Sequence, residues 1–188
     1  FTRWGDSMAK MLADTGCYEI AFGAESGSQE ILDNIRKRTT VEMNYKTIEM
    51  ANKHNIIVKA FILLGLPGEN KETLGQTEQM IKYLMSNNPK NDFGAYVFYP
   101  YKGTQIRDRL DAGEDVGLTM LVNEGLGAYG QAGGNTESGV IRTTEMNDKD
   151  LVAFRDYLVN TYRPVSGTEK WKDKFRDTNL GSNVEYEK

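Results

Sequence analysis

Cysteine is almost missing from this sequence of 188 residues, which contains only Cys17. A single thiol cannot form an internal disulfide, and an iron–sulfur cluster or a thiolate zinc site needs several cysteines. Histidine is equally scarce, since His54 is the only one. It follows a predicted helix, so we expect a role at the helix end rather than in catalysis. These absences exclude a cluster or zinc site that this chain builds from its own thiolates.

Long hydrophobic runs are also missing, because the longest covers only residues 60–64 and a membrane helix needs about 20 residues. No basic segment followed by an apolar stretch indicates a signal peptide. The formal net charge is -4, and lysines and arginines are scattered among carboxylates. Such a distribution gives no basic surface for nucleic acid. We therefore expect a cytoplasmic protein with no membrane partner and with nucleic acid not indicated.

Three apolar segments separated by helical patterns indicate βα units. The segments are residues 17–22, 56–64 and 93–99. The connections between them are too long for hairpins, so the strands should be parallel with right-handed crossovers. The second segment is almost continuously apolar, which is typical of a strand that is buried on both faces. The sequence therefore predicts an α/β fold.

The pattern changes after residue 111. Residues 112–138 are rich in glycine, with a helical turn or two expected within residues 118–126. A further helix should begin at Asn147 and end before Pro164, because proline disfavours helical backbone in the residue before it. We therefore divide the chain into residues 1–111, with about three βα units, and residues 112–188, with the glycine-rich segment, a C-terminal helix and a tail.

Glycine and polar residues follow each predicted strand, in the loops at residues 23–28, 65–69 and 99–104. Ligands of parallel α/β proteins bind at the carboxyl ends of the strands, where such loops converge. Glycines also allow backbone to approach a ligand closely. These loops predict one binding site, although many glycine-rich loops are simple turns.

Three stretches of the sequence resemble, in the right order, the last three strands and loops of the radical S-adenosylmethionine (SAM) superfamily. They are residues 16–32 with Lys37 and Thr40, residues 61–70 with Thr73, and residues 98–104. The second stretch contains the family's Gly-Leu-Pro-Gly-Glu loop. The third resembles its Pro-Tyr-Pro-Gly-Thr loop, with Lys102 where proline is usual. The resemblance is greatest to the cobalamin-binding group, which residues 138–164 resemble more weakly.

The resemblance implies that the chain is the later half of a partial TIM barrel with a C-terminal helical extension. The chain begins at Phe1 without a methionine, so we expect three further strands and the Cys-x-x-x-Cys-x-x-Cys loop upstream, in the missing N-terminal half. The parent would be a radical SAM oxidoreductase or transferase that uses SAM, a 4Fe-4S cluster and, as a further candidate, cobalamin. Reductive cleavage of SAM would start radical chemistry on an unknown small-molecule substrate. The fragment alone would be inactive.

Three polar residues of the first stretch are candidate SAM contacts by this resemblance. Glu25 lies where the family places a polar side chain against the ribose or the methionine end, although it could be a surface glutamate. Ser26 could add a contact. Lys37 could neutralise the SAM carboxylate as a point charge, with Arg36 and Arg38 as competitors for that role.

The other candidates come from the second and third strands. Leu63 matches a position that packs on the adenine, although most strand leucines are simply core residues. Gly65 would let backbone approach the adenine, and Tyr99 would flank it by stacking or by backbone hydrogen bonds. We expect Glu25, Leu63 and Tyr99 to line one groove.

Three other interpretations remain open at this stage. A methylthiotransferase is one, but such enzymes usually carry a basic RNA-binding domain after the barrel, and the C-terminal region here is acidic. A phosphate-binding TIM-barrel piece is the second. A non-catalytic, TIM-barrel-like interaction module is the third.

Overall fold

The computed structural model describes residues 5–122 and 140–163. In chain order the elements are α1 (Gly5–Asp14), β1 (Glu19–Glu25), α2 (Gln29–Asn34), α3 (Val41–Lys53), β2 (Ile57–Leu64), α4 (Lys71–Asn87), β3 (Asp92–Val97), α5 (Gln105–Asp111), β4 (Leu118–Met120), β5 (Ile141–Thr143) and α6 (Asp148–Tyr162). None of the helices in these two ranges is long and apolar enough to cross a membrane.

The main sheet has the order β1-β2-β3, and both strand pairs are parallel. The predicted α/β fold of parallel βα units with a C-terminal helical extension is therefore confirmed. Along β2, buried residues alternate with half-buried ones. The buried set packs against α3 and α4 and comprises Val58, Ala60, Ile62 and Leu64. The interpretation of β2 as buried on both faces is wrong, because only this face is covered by helices.

The opposite side of β2, which we call the open face, carries Ile57, Lys59, Phe61 and Leu63, all half-buried. Residues of neighbouring parallel strands that are paired in register point to the same side of a sheet. Gly23 of β1 pairs with Phe61, and Tyr96 of β3 pairs with Leu63. Tyr96 therefore also lies on the open face.

Side chains cap the starts of α3 and α4. Asn70 accepts hydrogen bonds from the backbone N–H of Glu72 and Thr73, and the Thr73 hydroxyl accepts one from Asn70 N, which completes a capping box at α4. Thr40 caps α3 through Met43 N. Such caps fix the start of a helix, so the Asn70 cap holds the loop after β2 at the carboxyl end of the sheet.

The C-terminal elements share the core of the sheet. Leu151 and Leu158 of α6 are fully buried in the same cluster as the strands. At the end of α6, the Arg163 guanidinium donates two hydrogen bonds to the carboxylate of Asp92, at 2.7 and 3.0 Å. The expected helical turn is wrong over residues 118–120, which form β4 and pair antiparallel with β5. Residues 123–126 and the tail after Arg163 lie outside the described residues.

Candidate functional site

A carboxylate and an ammonium group meet at the carboxyl end of β1. The Lys37 Nζ lies 2.5 Å from the Glu25 Oε1. The side chains are 32% and 15% exposed, respectively, so the pair is partly withdrawn from water but still reachable. The sequence predicted both residues as ligand contacts, and the structure brings them together.

The backbone around Glu25 and a nearby glycine place this pair on the open face. The register of β1 against β2 shifts between Gly23 and Glu25, and Glu25 has a φ of 61°. Such a left-handed conformation is uncommon for a residue other than glycine. A Cβ atom on Gly23 would collide with the Glu25 carboxylate and would lie 3.1 Å from Lys37 Nζ. Because Gly23 pairs with Phe61, the charged pair lies on the same side of the sheet as Phe61 and Leu63.

The end of α2 aims Lys37 at Glu25. Arg36 has a φ of 52°, Arg36 N donates to Asp33 O, and Lys37 N donates to Leu32 O at 3.0 Å. This is the hydrogen-bond pattern of a Schellman motif, in which glycine is the usual left-handed residue. The side chains of Arg36 and Arg38 form no hydrogen bond or ion pair among the residues that the structure describes. Of the three candidate cations, Lys37 is therefore the one that meets Glu25.

An apolar surface adjoins the charged pair. Leu63 lies on the open face of β2, the central strand between β1 and β3. The rings of Phe61 and Tyr96 are 6.4 Å apart, and Tyr96 lies over Gly94, where a Cβ atom would meet its ring. The sequence analysis missed Tyr96, although strand alternation from Val97 would have placed it on this face.

Gly65 makes room for side chains rather than for a ligand. It has a φ of 84°, and a Cβ atom there would lie 2.8 Å from both Ile141 and Leu151. The expected close approach of backbone to the adenine is therefore corrected, because β5 and α6 occupy that space. Gly65 shapes the loop and seats the C-terminal elements on it.

Glu69 anchors the loop after β2, and the sequence analysis assigned it no part in the site. Its Oε2 accepts hydrogen bonds from the backbone N–H of Gly65 and Leu66. Burial raises the pKa of Glu69 to about 7, and the two backbone bonds oppose that rise. Its Oε1 is buried and has no hydrogen-bond partner in the described part of the chain. The only sequence signal was its place at the end of the Gly-Leu-Pro-Gly-Glu loop.

Ser26 is fully buried, so the predicted cofactor contact is corrected. Its hydroxyl lies 3.0 Å from the Thr77 hydroxyl and accepts a hydrogen bond from Ser28 N at 3.1 Å. Both bonds fasten the loop after β1 to α4. Ser28 lies at the N-cap position of α2 but its side chain makes no capping bond.

Tyr99 is also separated from the charged pair. It is 5% exposed and belongs to the hydrophobic core together with Val97. Its ring packs edge-on against Tyr101, with the centroids 5.0 Å apart. The groove expected from Glu25, Leu63 and Tyr99 is therefore corrected to one that includes Glu25 and Leu63. Stacking on the Tyr99 ring does not fit its burial, whereas contact through its backbone stays a prediction.

No cluster of three or more metal-binding side chains occurs within residues 5–122 and 140–163. Cys17 lies just before β1, at the opposite end of that strand from Glu25, and is half-buried. His54 is at the C-cap of α3, and its Nε2 lies 2.8 Å from Asp6 Oδ1. Neither residue lies at the candidate site.

A parallel sheet with a charged pair and apolar side chains at its carboxyl ends is the ligand-binding arrangement of α/β proteins. The family model described as "Radical SAM superfamily" matches residues 2–81. The resemblance to the radical SAM superfamily is thus confirmed over this part of the chain.

Relatives of known name are similar over parts of this chain. An anaerobic magnesium-protoporphyrin IX monomethyl ester cyclase from Rubrivivax gelatinosus is 29% identical over 41% of this chain and 14% of its own length. An uncharacterised methyltransferase from Pyrococcus horikoshii is 27% identical over 55% of this chain and 22% of its own length. The chain thus spans less than a quarter of either relative.

Among solved structures, the radical SAM methyltransferase TsrM from Kitasatospora setae, with cobalamin and a [4Fe-4S] cluster bound, overlaps with a TM-score of 0.49. Its sequence is 20% identical, and the overlap covers 65% of this chain and 24% of that one. The fold described above follows from the strand pairing of this chain itself.

Proposed function

We propose that this chain forms one wall of the SAM-binding barrel of a radical SAM enzyme. The observation that carries the proposal is the Glu25–Lys37 pair on the same face as Phe61 and Leu63. The match of residues 2–81 to the family supports it.

The open face fits the chemical groups of SAM. Lys37 can neutralise a carboxylate, and Glu25 can accept hydrogen bonds from an ammonium group or from ribose hydroxyls. Leu63 and Phe61 offer apolar surface to an adenine ring. The present ion pair keeps both charged side chains in place when no ligand is bound, so each can exchange its partner for a group of SAM without moving far.

This chain cannot bind a 4Fe-4S cluster by itself, because its sequence has one cysteine and the Cys-x-x-x-Cys-x-x-Cys loop of the family supplies three thiolate ligands. The cluster ligands would come from the upstream part of the parent. Bound there, the cluster would supply the electron for reductive cleavage of SAM. The residues of this chain would hold the charged end of SAM and exclude water from its adenine.

Cobalamin is a second cofactor that we propose only for the parent protein. The cyclase and methyltransferase names of the relatives indicate two reaction classes, ring closure and methyl transfer. Cobalamin is named for TsrM. No residue of the open face is assigned to it.

Reconstitution of the longer parent tests this function. The protein with its upstream region is loaded anaerobically with iron and sulfide, and release of 5'-deoxyadenosine from SAM is measured. We expect SAM cleavage, and we expect Glu25→Ala to reduce it at least about tenfold, a loss of about 1.4 kcal/mol. Glu30→Ala is the matched control, because Glu30 is an exposed glutamate on α2. A loaded cluster without SAM cleavage would leave a barrel that only binds, and the enzymatic proposal would be wrong.

A further inference from the structure

A small cavity lies between α2 and α5, near the open face that we propose for SAM. It has a volume of about 200 Å³ and is lined by residues 34–36 and 104–106 together with Arg109. The Asn34 side chain donates to Pro67 O at 3.0 Å, which places this cavity at the loop after β2. The cavity is therefore at the rim of the carboxyl end of the sheet.

The charge of this cavity is positive. Arg36 and Arg109 contribute guanidinium groups, and none of its described lining residues is acidic. The Arg109 guanidinium already has a partner, because its Nε donates to Glu114 Oε2 at 2.7 Å. Both side chains are about half exposed. The Arg36 guanidinium has no hydrogen bond or ion pair among the described residues. One guanidinium is thus free to bind a planar or tetrahedral anion through two parallel N–H groups.

Both walls of the cavity are held by hydrogen bonds. Asp33 O and Leu32 O fix the turn that carries Arg36. On the other side the Thr104 hydroxyl donates to Tyr101 O at 2.7 Å and caps α5. Because the walls are held in this way, little ordering is needed when a ligand binds.

The cavity differs from the surface that we propose for SAM in its lining residues and in its size. None of Glu25, Ser26, Lys37, Leu63, Gly65 and Tyr99 lines it. Sites for whole cofactors occupy about 300–1,000 Å³, so about 200 Å³ suits only a part of a ligand. A carboxylate or phosphate group has a suitable size, and Ile35 and Ile106 offer apolar contact to the carbon atoms next to it.

We propose that this cavity binds an anionic group, a carboxylate or a phosphate, of the substrate of the enzyme. The inference rests on the proposed function only in assigning the anion to the substrate. Binding of the anion itself needs neither SAM nor a cluster. A failure here would therefore leave the SAM proposal standing, and the reverse also holds.

Titration of the 188-residue chain with inorganic phosphate, and separately with acetate, tests the site. Amide NMR signals of residues 34–36 and 104–106 are followed at constant ionic strength set with chloride, since screening alone would otherwise change them. We expect saturable shifts with at least one of the two anions. Saturation by phosphate alone assigns a phosphate-bearing substrate, and saturation by acetate alone assigns a carboxylate. Absence of saturable shifts with both anions would overturn the proposal.

Two substitutions and one control locate the binding. Arg36→Gln should weaken the anion about tenfold, whereas Glu114→Gln should strengthen it by roughly threefold because Arg109 is released. Arg38→Gln is the matched control, since Arg38 is also exposed and unpaired with a φ of 59° but lies outside the cavity. Equal losses from Arg36→Gln and Arg38→Gln would mean diffuse attraction to positive charge and would contradict a defined site.

Discussion

Glu25 and Glu69 follow neighbouring strands at the same end of the sheet, yet their surroundings differ. Glu25 faces the open side and is paired with an ammonium group. Glu69 is fully buried, is held by two backbone N–H groups and has no ion pair among the described residues. The first carboxylate is available to a ligand, whereas the second builds the loop. Two carboxylates at the same end of the sheet thus differ in burial and in partner, which their sequence positions do not show.

A substitution in the loop after β2, which Glu69 holds, should have the largest effect on stability. In Gly65→Ala the new methyl group would meet Ile141 and Leu151 at a backbone φ of 84°. Strain and overpacking together should lower the free energy of unfolding by about 3 kcal/mol. Gly103→Ala is the control, because Gly103 has a φ of 82° and nothing within 4 Å of a Cβ atom; it should cost about 1 kcal/mol. If urea unfolding gives equal losses of stability for Gly65→Ala and Gly103→Ala, the close packing of Ile141 and Leu151 on Gly65 contributes nothing to the effect.

The buried carboxylate of Glu69 should make stability depend on pH. Its pKa rises on folding from 4.5 to about 7, so the folded state binds more protons between these values. Stability therefore falls as pH rises through this window, by up to about 3 kcal/mol above pH 7.

Glu69→Gln should remove this dependence, whereas Glu25→Gln should leave it in place. Urea unfolding curves between pH 4.5 and 8 measure both variants. A Glu69→Gln protein with the same pH profile as the unmodified chain would contradict the assignment of the titrating group.

The smallest effect should come from a paired carboxylate that is far from the ligand end. Asp92 begins β3 and is paired with Arg163. Asp92→Asn should cost about 1 kcal/mol of stability, because the pair is only partly shielded from water. It should leave SAM affinity unchanged. A clear loss of SAM affinity in Asp92→Asn would contradict the account, because Asp92 is an ion-paired carboxylate that lies at the other end of the sheet from Glu25.

The sequence predicted three parallel strands with helices between them, because apolar runs and helical spacing are local signals. Asn70 and Thr104 cap α4 and α5, and polar residues at helix starts are signals of the same local kind. It also predicted that Glu25 and Lys37 belong to one site. These residues are 12 positions apart, and no distant part of the fold is needed to join them.

The sequence did not predict contacts made by distant segments. Ser26 is buried by Thr77 on α4, and Gly65 is covered by Ile141 and Leu151. Tyr99 belongs to the core although its motif resembles a ligand loop. In each case burial depends on packing between elements far apart in the chain, which a local pattern does not contain.

SAM affinity of the reconstituted parent, measured by calorimetry before any reductant is added, tests the assignment of the two carboxylates most directly. We predict that Glu25→Gln weakens SAM binding about tenfold, with less than about 0.5 kcal/mol change in stability at pH 8. At the same pH, Glu69→Gln should change the free energy of unfolding more than it changes the free energy of SAM binding. Unchanged SAM affinity in Glu25→Gln, with the fold intact, would contradict the account.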